Sequence, residues 1–228
     1  MYHMINDPAR AEPVPHLAVT PAMFERQIAH LRQTGWHFAT VSELFTGPVR
    51  PKTVAITFDD GYRDNLTNAL PVLLRHQAKA TVYLIGDRQG DLSEGGDTTG
   101  KPLAPLLTDT EINKLLASNA IELGGHTLTH RNLATATEPV ALHELTAGKN
   151  VLEETLSQPV TAFAYPFGGF SAGLPDLVAK TGYTSAVTTR QGISTDLAHD
   201  RLQLKRIRIS GRDNFATFRI RLRIGRRR

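Results

Sequence analysis

Residues 53–65 read TVAITFDDGYRDN, and the pattern of this stretch decides the fold class. A short apolar run from Val54 to Phe58 ends abruptly in Asp59, Asp60 and Gly61. This pattern is typical of a buried strand that runs out into a loop at its carboxyl end. Two adjacent carboxylates at that point repel each other and are costly to desolvate unless a cation or specific hydrogen bonds compensate. The aspartate pair therefore indicates a metal ligand, a general base, or one of each.

A purely structural interpretation of the same residues is an alternative. Asp-Gly is a common turn dipeptide, and Asp64 and Asn65 are residue types that cap the start of a helix. The rest of the chain decides between the two interpretations.

The length and composition of the chain are those of one globular domain spanning residues 1–228. Hydrophobic residues make up 40% and charged residues 21% of the sequence, which suits a protein with a sizeable core. No apolar run is long enough to cross a bilayer, and no signal peptide is recognisable, so we expect a soluble chain. Its location is left unknown, with the cell envelope or the extracellular space as options if a signal segment was removed. The absence of cysteine excludes disulfides, thiolate metal ligands and a cysteine nucleophile.

The net charge of +4 is concentrated at the C-terminal end, where residues 218–228 read FRIRLRIGRRR. The alternation of arginine with isoleucine or leucine predicts an edge strand or a basic arm, and residues from about 212 to 228 are expected to form a flexible basic tail. No basic patch interleaved with aromatic residues occurs elsewhere, so we expect no nucleic-acid partner. The oligomeric state is left open.

Strand and helix patterns alternate along the chain. Strands are predicted over residues 2–5, 36–41, 54–58, 80–85, 120–124, 160–165 and 185–189, with a strand-like run at 204–209. Helices are predicted between the cap Thr20 and the stop Gly35, and over residues 65–76, 109–116, 138–156 and 174–180. This alternation predicts parallel βαβ units, and six to eight strands favour an α/β fold of the distorted (β/α) barrel type in a single domain. The glycine-rich segment 86–105 is predicted to be a long loop of the kind that carries function.

A second group of candidate residues follows the strand predicted over 120–124. Residues 124–130 read GGHTLTH, which places His126 and His130 four positions apart, on one face of a predicted helical turn. The two glycines are expected to let the backbone turn tightly. In a parallel barrel this segment leaves from the same carboxyl end as the aspartate pair, where active sites form. One aspartate and two histidines leave an open position for water on a divalent ion such as zinc.

A third group ends the strand predicted over 160–165, where residues 164–169 read AYPFGG. The Tyr-Pro-Phe-Gly run offers an aromatic wall and backbone N–H groups in a fixed turn, which suits a sugar face and a developing oxyanion. Tyr165 and Pro166 are accordingly predicted to bind substrate. A rigid turn without further function is the alternative.

The three groups together resemble the polysaccharide deacetylase family, carbohydrate esterase family four. The run TFDDG at residues 57–61 matches the first motif of the family, and HTLTH at residues 126–130 matches the second. Tyr2-His3 and the segment from Phe24 to Gly35 look like the subgroup that acts on N-acetylglucosamine exopolysaccharides.

The resemblance implies a metal-dependent hydrolase that removes N-acetyl groups from a polysaccharide or oligosaccharide containing N-acetylglucosamine. It implies that Asp59 is the general base, which fits the chemistry of a carboxylate beside a metal-activated water. The ligands of one divalent ion, Zn²⁺ or alternatively Co²⁺, would be Asp60, His126 and His130. The backbone N–H of Phe167 would help to stabilise the tetrahedral oxyanion.

The chain departs from the family pattern in its positive charge near the general base. The third motif usually carries an arginine before Pro-aromatic-Gly, and residues 162–165 supply none. The Asp-and-Trp motif that normally follows is also missing, since the only tryptophan is Trp36. Arg206 or Arg208 is our hypothesis for the source of the missing charge.

The general acid of the family is a histidine in a Leu-x-His motif near the C-terminus. Leu197-Ala198-His199 matches these letters but lies in a polar segment, so His199 is a candidate for which an exposed loop position is the alternative. Among the other histidines, His3 is the one expected to line the site.

Two rival functions stay open at this point. The first is a metal-dependent amidohydrolase of a small N-acyl or ureide compound, which would have a closed pocket in place of an open groove. The second is a non-catalytic carbohydrate-binding barrel, which would not need a complete set of base and metal ligands.

Overall fold

The computed structural model describes residues 1–11, 13–88 and 104–225, so most of the predicted loop 86–105 lies outside the described residues. The strands within this part of the chain are β1 (His37–Phe38), β2 (Thr53–Val54), β3 (Ile56–Phe58), β4 (Ala80–Leu84), β5 (Ile121–Gly125), β6 (Ala162–Ala164), β7 (Ser185–Gln191) and β8 (Leu204–Arg206). The α-helices are α1 (Pro21–Gln33), α2 (Leu70–Arg75), α3 (Asp109–Ala117), α4 (Glu138–Leu156), α5 (Leu174–Lys180) and α6 (Phe215–Ile224). Short 3₁₀ turns occur at Pro8–Arg10, Pro15–Leu17, Ser42–Phe45 and Pro166–Gly168, and a π-helical segment covers Asn65–Ala69.

The strands form one six-stranded parallel sheet in the order β3-β4-β5-β6-β7-β8, while β1 and β2 pair separately. Because the spatial order follows the chain order, successive crossovers cover one face of the sheet, and the sheet curls into a half-barrel. The predicted α/β fold of the distorted barrel type in a single domain is confirmed.

The two faces of the curled sheet bury different side chains, because successive residues of a strand point to opposite sides. In β4, Val82 packs into the large core on the helix side, whereas Tyr83 packs into a smaller cluster inside the curl. In β6, Phe163 faces the helices, and Ala162 and Ala164 face the interior. The small alanines leave space for the large ring of Tyr83.

The N-terminal residues lie between the two edge strands of the half-barrel. Tyr2 forms a parallel bridge with Phe58 of β3, and its carbonyl accepts a hydrogen bond from Asp59 N at 3.1 Å. On the other side, Ile209 N, beyond β8, donates to the carbonyl of Met1 at 3.0 Å. The predicted strand over residues 2–5 is therefore reduced to isolated bridges, and it brings the next residue, His3, to the carboxyl end of β3.

The helix predicted over 65–76 begins with the wider π turn. Pro71 has no N–H, and in a regular α-helix its ring would crowd the carbonyl four residues earlier. The wider turn before α2 avoids that contact, with Leu70 N donating to the carbonyl of Asn65.

The C-terminal segment is a helix, so the interpretation of residues 218–228 as an edge strand is wrong. Asn214 caps α6 by accepting a hydrogen bond from Thr217 N at 2.9 Å, and Gly225 ends the helix with a left-handed φ of 68°. Arg221 is buried and donates from Nη2 to Asp213 Oδ1 at 2.6 Å, which anchors the helix. Residues 226–228 lie outside the described part of the chain.

No helix in the described ranges combines the length and the apolar character that a bilayer-spanning segment needs.

Candidate active site

The two adjacent aspartates at the end of β3 have different partners. Asp59 is buried and forms a two-pronged ion pair with Arg206 of β8, with Nη1–Oδ1 at 2.6 Å and Nη2–Oδ2 at 2.7 Å. The same guanidinium donates to the carbonyl of Thr188 at 2.8 Å and to Thr57 Oγ1 at 3.2 Å. Of the two arginines considered from the sequence, Arg206 and Arg208, it is Arg206 that supplies the positive charge beside Asp59.

This ion pair controls the protonation state of Asp59. Burial raises the pKa of Asp59, but the charge of Arg206 and its hydrogen bonds outweigh burial and hold the pKa below its usual value. Asp59 is therefore ionised at neutral pH, as a proton acceptor must be.

Asp60 faces two histidines from the segment that follows β5. Its Oδ1 lies 3.3 Å from Nε2 of His126 and 3.3 Å from Nε2 of His130. All three residues are buried, and their ligand atoms lie within 4.8 Å of one another. Asp60 has a left-handed φ of 73°, a conformation that aspartate tolerates better than most residues.

The protonation pattern of the imidazoles tests whether a metal fits this group. His126 Nδ1 lies 2.7 Å from the carbonyl of Ala164, which fixes Nδ1 as the donor and leaves Nε2 for Asp60 or a cation. His130 Nδ1 is buried and has no hydrogen-bond partner among the described residues. Nε2 of His126, Nε2 of His130 and Oδ1 of Asp60 lie around one position, and one carboxylate with two imidazoles is a donor set that suits Zn²⁺. The residues fit a divalent ion.

The pKa values in this group also favour a positive charge between the three side chains. Burial raises the pKa of Asp60, but hydrogen bonds from His126 and His130 outweigh it and hold the pKa well below its usual value. Burial lowers the pKa of His126, but its hydrogen bond with Asp60 outweighs burial and raises the pKa above its usual value. The same negative charge of Asp60 that stabilises a proton on His126 would also stabilise a metal cation between the three side chains.

The segment that carries the histidines is an irregular loop, so the predicted helical turn is wrong. Thr127 and His130 have left-handed φ values of 64° and 60°, which a right-handed helical turn excludes. The spacing of four residues nevertheless brings both rings together, with centroids 4.8 Å apart.

The two glycines before His126 are needed for space within β5, so the expected tight turn is also wrong. A Cβ on Gly124 would lie 2.6 Å from Cδ1 of Tyr83, and one on Gly125 would lie 2.4 Å from the hydroxyl of Tyr183. Tyrosine rings on both sides of the strand therefore exclude any side chain at these positions.

The third predicted group divides between the site and the core. The ring of Phe167 is half exposed and lies 4.7 Å, centroid to centroid, from the ring of His130. Phe167 has a left-handed φ of 58°, and its carbonyl accepts from Thr189 Oγ1 at 3.3 Å. Pro166 is buried, and so is Tyr165, whose hydroxyl donates to the carbonyl of Leu202 at 2.9 Å. The side chain of Tyr165 faces the helix-side core, so it has no exposed surface with which to contact a substrate.

The two remaining candidates from the sequence are His3 and His199, and they have different surroundings. His3 is half-buried, and burial lowers its pKa while Asp60 and Asp59 oppose that shift, which places His3 beside both carboxylates. His199 is exposed, and its backbone N–H donates to Asp196 Oδ1 at 3.0 Å. Within the described part of the chain, no hydrogen bond or ion pair joins His199 to the aspartates or to the two clustered histidines.

Asp64 and Asn65 fasten the N-terminal segment and do not cap the helix through their side chains. Asp64 Oδ1 accepts from Ile5 N at 3.0 Å, and Asn65 Nδ2 donates to the carbonyl of His3 at 2.9 Å. These bonds fix the backbone of His3 beside the carboxyl end of β3. The capping interpretation of these two residues is wrong.

Asp64→Asn is expected to change the dependence of stability on pH. Burial raises the pKa of Asp64 from 3.8 to about 6, outweighing the hydrogen bonds from Ile5, Asn6 and Asn65. An acid whose pKa is raised by folding stabilises the protein below its unfolded pKa, and this contribution is lost as pH rises through the folded pKa. The free energy of unfolding of the wild type minus that of the variant should therefore fall by on the order of 2 kcal/mol between about pH 4 and pH 7 in urea titrations.

The exposed Asp176 supplies the control for this measurement. The same difference for Asp176→Asn should change by less than about 0.5 kcal/mol over the same pH range. A flat difference for Asp64→Asn would contradict the raised pKa.

Comparisons with known proteins agree with this geometry. A family model described as polysaccharide deacetylase matches residues 46–186. YxkH of Bacillus subtilis, provisionally named a polysaccharide deacetylase, is 30% identical over 200 residues, which cover 86% of this chain and 65% of that protein. The poly-beta-1,6-N-acetyl-D-glucosamine N-deacetylase of Staphylococcus aureus is 21% identical over 199 residues, covering 82% of this chain and 66% of the relative. The chain thus spans about two thirds of the length of these curated relatives.

A solved structure resembles this fold over its whole length. The deacetylase PplD of Streptococcus pyogenes, determined in complex with acetate, superimposes with a TM-score of 0.80 at 27% identity. The match covers 100% of this chain and 96% of PplD.

Proposed function

The chain belongs to the polysaccharide deacetylase family, and from this membership and the geometry of its site we propose that it is a metal-dependent hydrolase that removes N-acetyl groups from a glycan containing N-acetylglucosamine. One observation carries the proposal. A buried, ionised Asp59 stands next to the group Asp60, His126 and His130 but is held apart from it by Arg206. A base beside a separate set of three ligands is the arrangement that metal-assisted amide hydrolysis needs.

A divalent ion held by Asp60, His126 and His130, Zn²⁺ or Co²⁺, would lower the pKa of a water molecule and polarise the acetyl carbonyl. Asp59 takes a proton from the attacking water, and protonation of the departing sugar amine as the C–N bond breaks gives acetate and a free amine. Arg206 keeps Asp59 ionised and fixes both carboxylate oxygens. The backbone N–H of Phe167 is the proposed donor to the oxyanion of the tetrahedral intermediate.

Support for an acetylated sugar as substrate comes from the relatives and from the exposed ring at the site. The named substrate of the Staphylococcus aureus relative is poly-beta-1,6-N-acetyl-D-glucosamine, and PplD binds acetate, the product expected here. The half-exposed ring of Phe167 beside His130 offers an apolar face on which a sugar ring can pack.

The test is acetate release from N-acetylglucosamine oligomers with β-1,6 and β-1,4 linkages, using protein stripped of metal by a chelator. We expect no release before metal is added, release after Zn²⁺ or Co²⁺ is added, and one free amine for each acetate. A small N-acetyl amide that is not a sugar is assayed in parallel.

The assay also separates the rival functions. Release from the small amide alone would favour an amidohydrolase of small compounds. Glycan binding without metal uptake or release from any substrate would favour a carbohydrate-binding barrel. Either result would contradict the proposal.

A further inference from the structure

We propose that Glu144 of α4 is a positioning residue for the metal ligands, acting through the backbone of the loop from His126 to His130. The inference rests on the proposed function, because it assigns to Glu144 a role in holding the ligands of that site. None of the sequence motifs described above includes this glutamate.

The loop needs hydrogen-bond partners because it is neither helix nor strand. Its start is tied to the end of β4, where His126 N donates to the carbonyl of Leu84 at 2.8 Å. The carbonyl of Thr127 accepts from Gly86 N at 2.9 Å, and the carbonyl of Leu128 accepts from Asp87 N at 2.7 Å. These contacts satisfy the carbonyl groups of Thr127 and Leu128, whereas the N–H groups of Leu128 and Thr129 need acceptors elsewhere.

Glu144 supplies those acceptors. Its Oε2 accepts from Leu128 N at 3.0 Å and from Thr129 N at 2.9 Å, and its Oε1 accepts from Thr129 Oγ1 at 2.7 Å. The glutamate is only 5% exposed, so water does not replace these bonds easily. A single carboxylate thus holds the middle of the loop, between the two histidines.

Gly148 lets α4 come close enough for these bonds to form. It lies one turn after Glu144, and a Cβ at this position would lie 2.7 Å from both the nitrogen of Leu128 and the carbonyl carbon of Thr127. The helix and the loop are therefore in backbone contact, and the carboxylate of Glu144 is fixed relative to the loop.

Holding the loop from α4 fixes the direction of both histidine side chains. His126 and His130 begin and end the loop, and His130 has a left-handed φ of 60°. Without the Glu144 bonds, this conformation has fewer restraints and the two Nε2 atoms lose their shared position next to Asp60. Residues that orient metal ligands in this way contribute about 10- to 100-fold to metal affinity in other proteins.

Zinc affinity, measured by competition with a chromophoric chelator, tests the proposal without any substrate. Glu144→Ala should weaken Zn²⁺ binding by about 10- to 100-fold. Glu144→Gln keeps a carbonyl oxygen that accepts both N–H bonds and should retain most of the affinity. Leu145, the next residue along the helix, is buried in the core and supplies the control. Leu145→Ala damages the core but keeps the loop contacts, so it should bind Zn²⁺ within about threefold of the wild type.

Three results would overturn the positioning role. These are unchanged affinity in Glu144→Ala, an equal loss in Leu145→Ala, or an equal loss in Glu144→Gln. If Glu144→Ala does not fold, Gly148→Ala takes its place, because it pushes the helix from the loop while the carboxylate is retained, and a similar loss is expected. Failure of the proposed deacetylation would appear only in the acetate assay and would leave this affinity test valid.

Discussion

Asp59→Asn is expected to lower the rate of acetate release by about 10²- to 10⁴-fold, the usual contribution of a general base, while zinc affinity changes by no more than about threefold. Asparagine has nearly the same shape but cannot accept a proton. Asp59 contacts Arg206 and is not one of the three clustered ligand residues, so its loss should leave the metal group intact. The measurements are kcat at saturating metal and zinc affinity by chelator competition.

Asp60→Asn is the matched control, since it makes the same substitution one residue further along. Asp60 Oδ1 faces both histidines, so this variant should lose metal affinity strongly, and its activity should recover in part at high metal concentration. Equal loss of metal in the two variants, or full activity in Asp59→Asn, would refute the division of roles between the adjacent aspartates.

How far the sequence predicts this site depends on how local each feature is. Asp59 and Asp60 are recognisable because a strand end and its carboxylates are adjacent in the chain, and the same holds for His126 and His130. Their meeting follows from the parallel order of the strands, since the carboxyl ends of such strands lie at one edge.

Features that depend on distant partners are harder to read from the sequence. Arg206 pairs with Asp59 across 147 positions, and nothing in the run LKRIRI distinguishes it from Arg208. The alternation in that run shows only that residues 206 and 208 share a face if the strand continues. The structure ends β8 at Arg206, and it is the guanidinium of Arg206 that pairs with Asp59.

Glu144 was missed by the sequence analysis, although a signal was present. The buried positions of α4 include Ala141, Leu145, Gly148 and Leu152, and Glu144 falls on the same face. A glutamate within an apolar stripe must have buried partners, which marks it as a candidate for a structural or functional role. Its partners could not be identified, because the loop that it holds has no periodic pattern.

The helix α6 illustrates how a repeat can mislead. Arginine and hydrophobic residues alternate from Phe218 to Ile224, which imitates the period of a strand. The buried residues of α6, Phe218 and Arg221, lie three positions apart, which fits the period of a helix. Asn214 caps the start of the helix, and Gly225 ends it. In this segment the capping residues were a better guide than the alternation.

Arg206→Met is expected to destabilise the protein by about 3–5 kcal/mol at neutral pH and to shift the acid limb of the pH–rate profile to higher pH. The variant leaves the buried carboxylate of Asp59 without its charge partner. Burial, which raises the pKa of Asp59, is then no longer outweighed by the arginine. The group therefore binds its proton over a wider pH range, and fewer molecules hold an ionised base at neutral pH.

The pH dependence of stability gives the sign of this effect independently of activity. In the wild type the lowered pKa of Asp59 stabilises the fold above its unfolded pKa, and this contribution is lost as pH falls through the folded value. In Arg206→Met the raised pKa does the opposite, so the variant loses stability as pH rises. The difference in unfolding free energy between the two proteins should therefore be largest at neutral pH and shrink towards about pH 3.

Arg75→Met provides the matched control, because Arg75 also forms a two-pronged ion pair with a carboxylate, Glu25, but on the surface. Its removal should cost no more than about 1 kcal/mol and should leave the pH–rate profile in place, since water replaces the lost partner. An acid limb that does not move in Arg206→Met would show that Asp59 does not titrate as the base. If Arg206 acts as the charge partner of Asp59, the stability lost in Arg206→Met depends on whether Asp59 is ionised. A loss of stability that is the same at every pH would therefore show that Arg206 contributes packing alone.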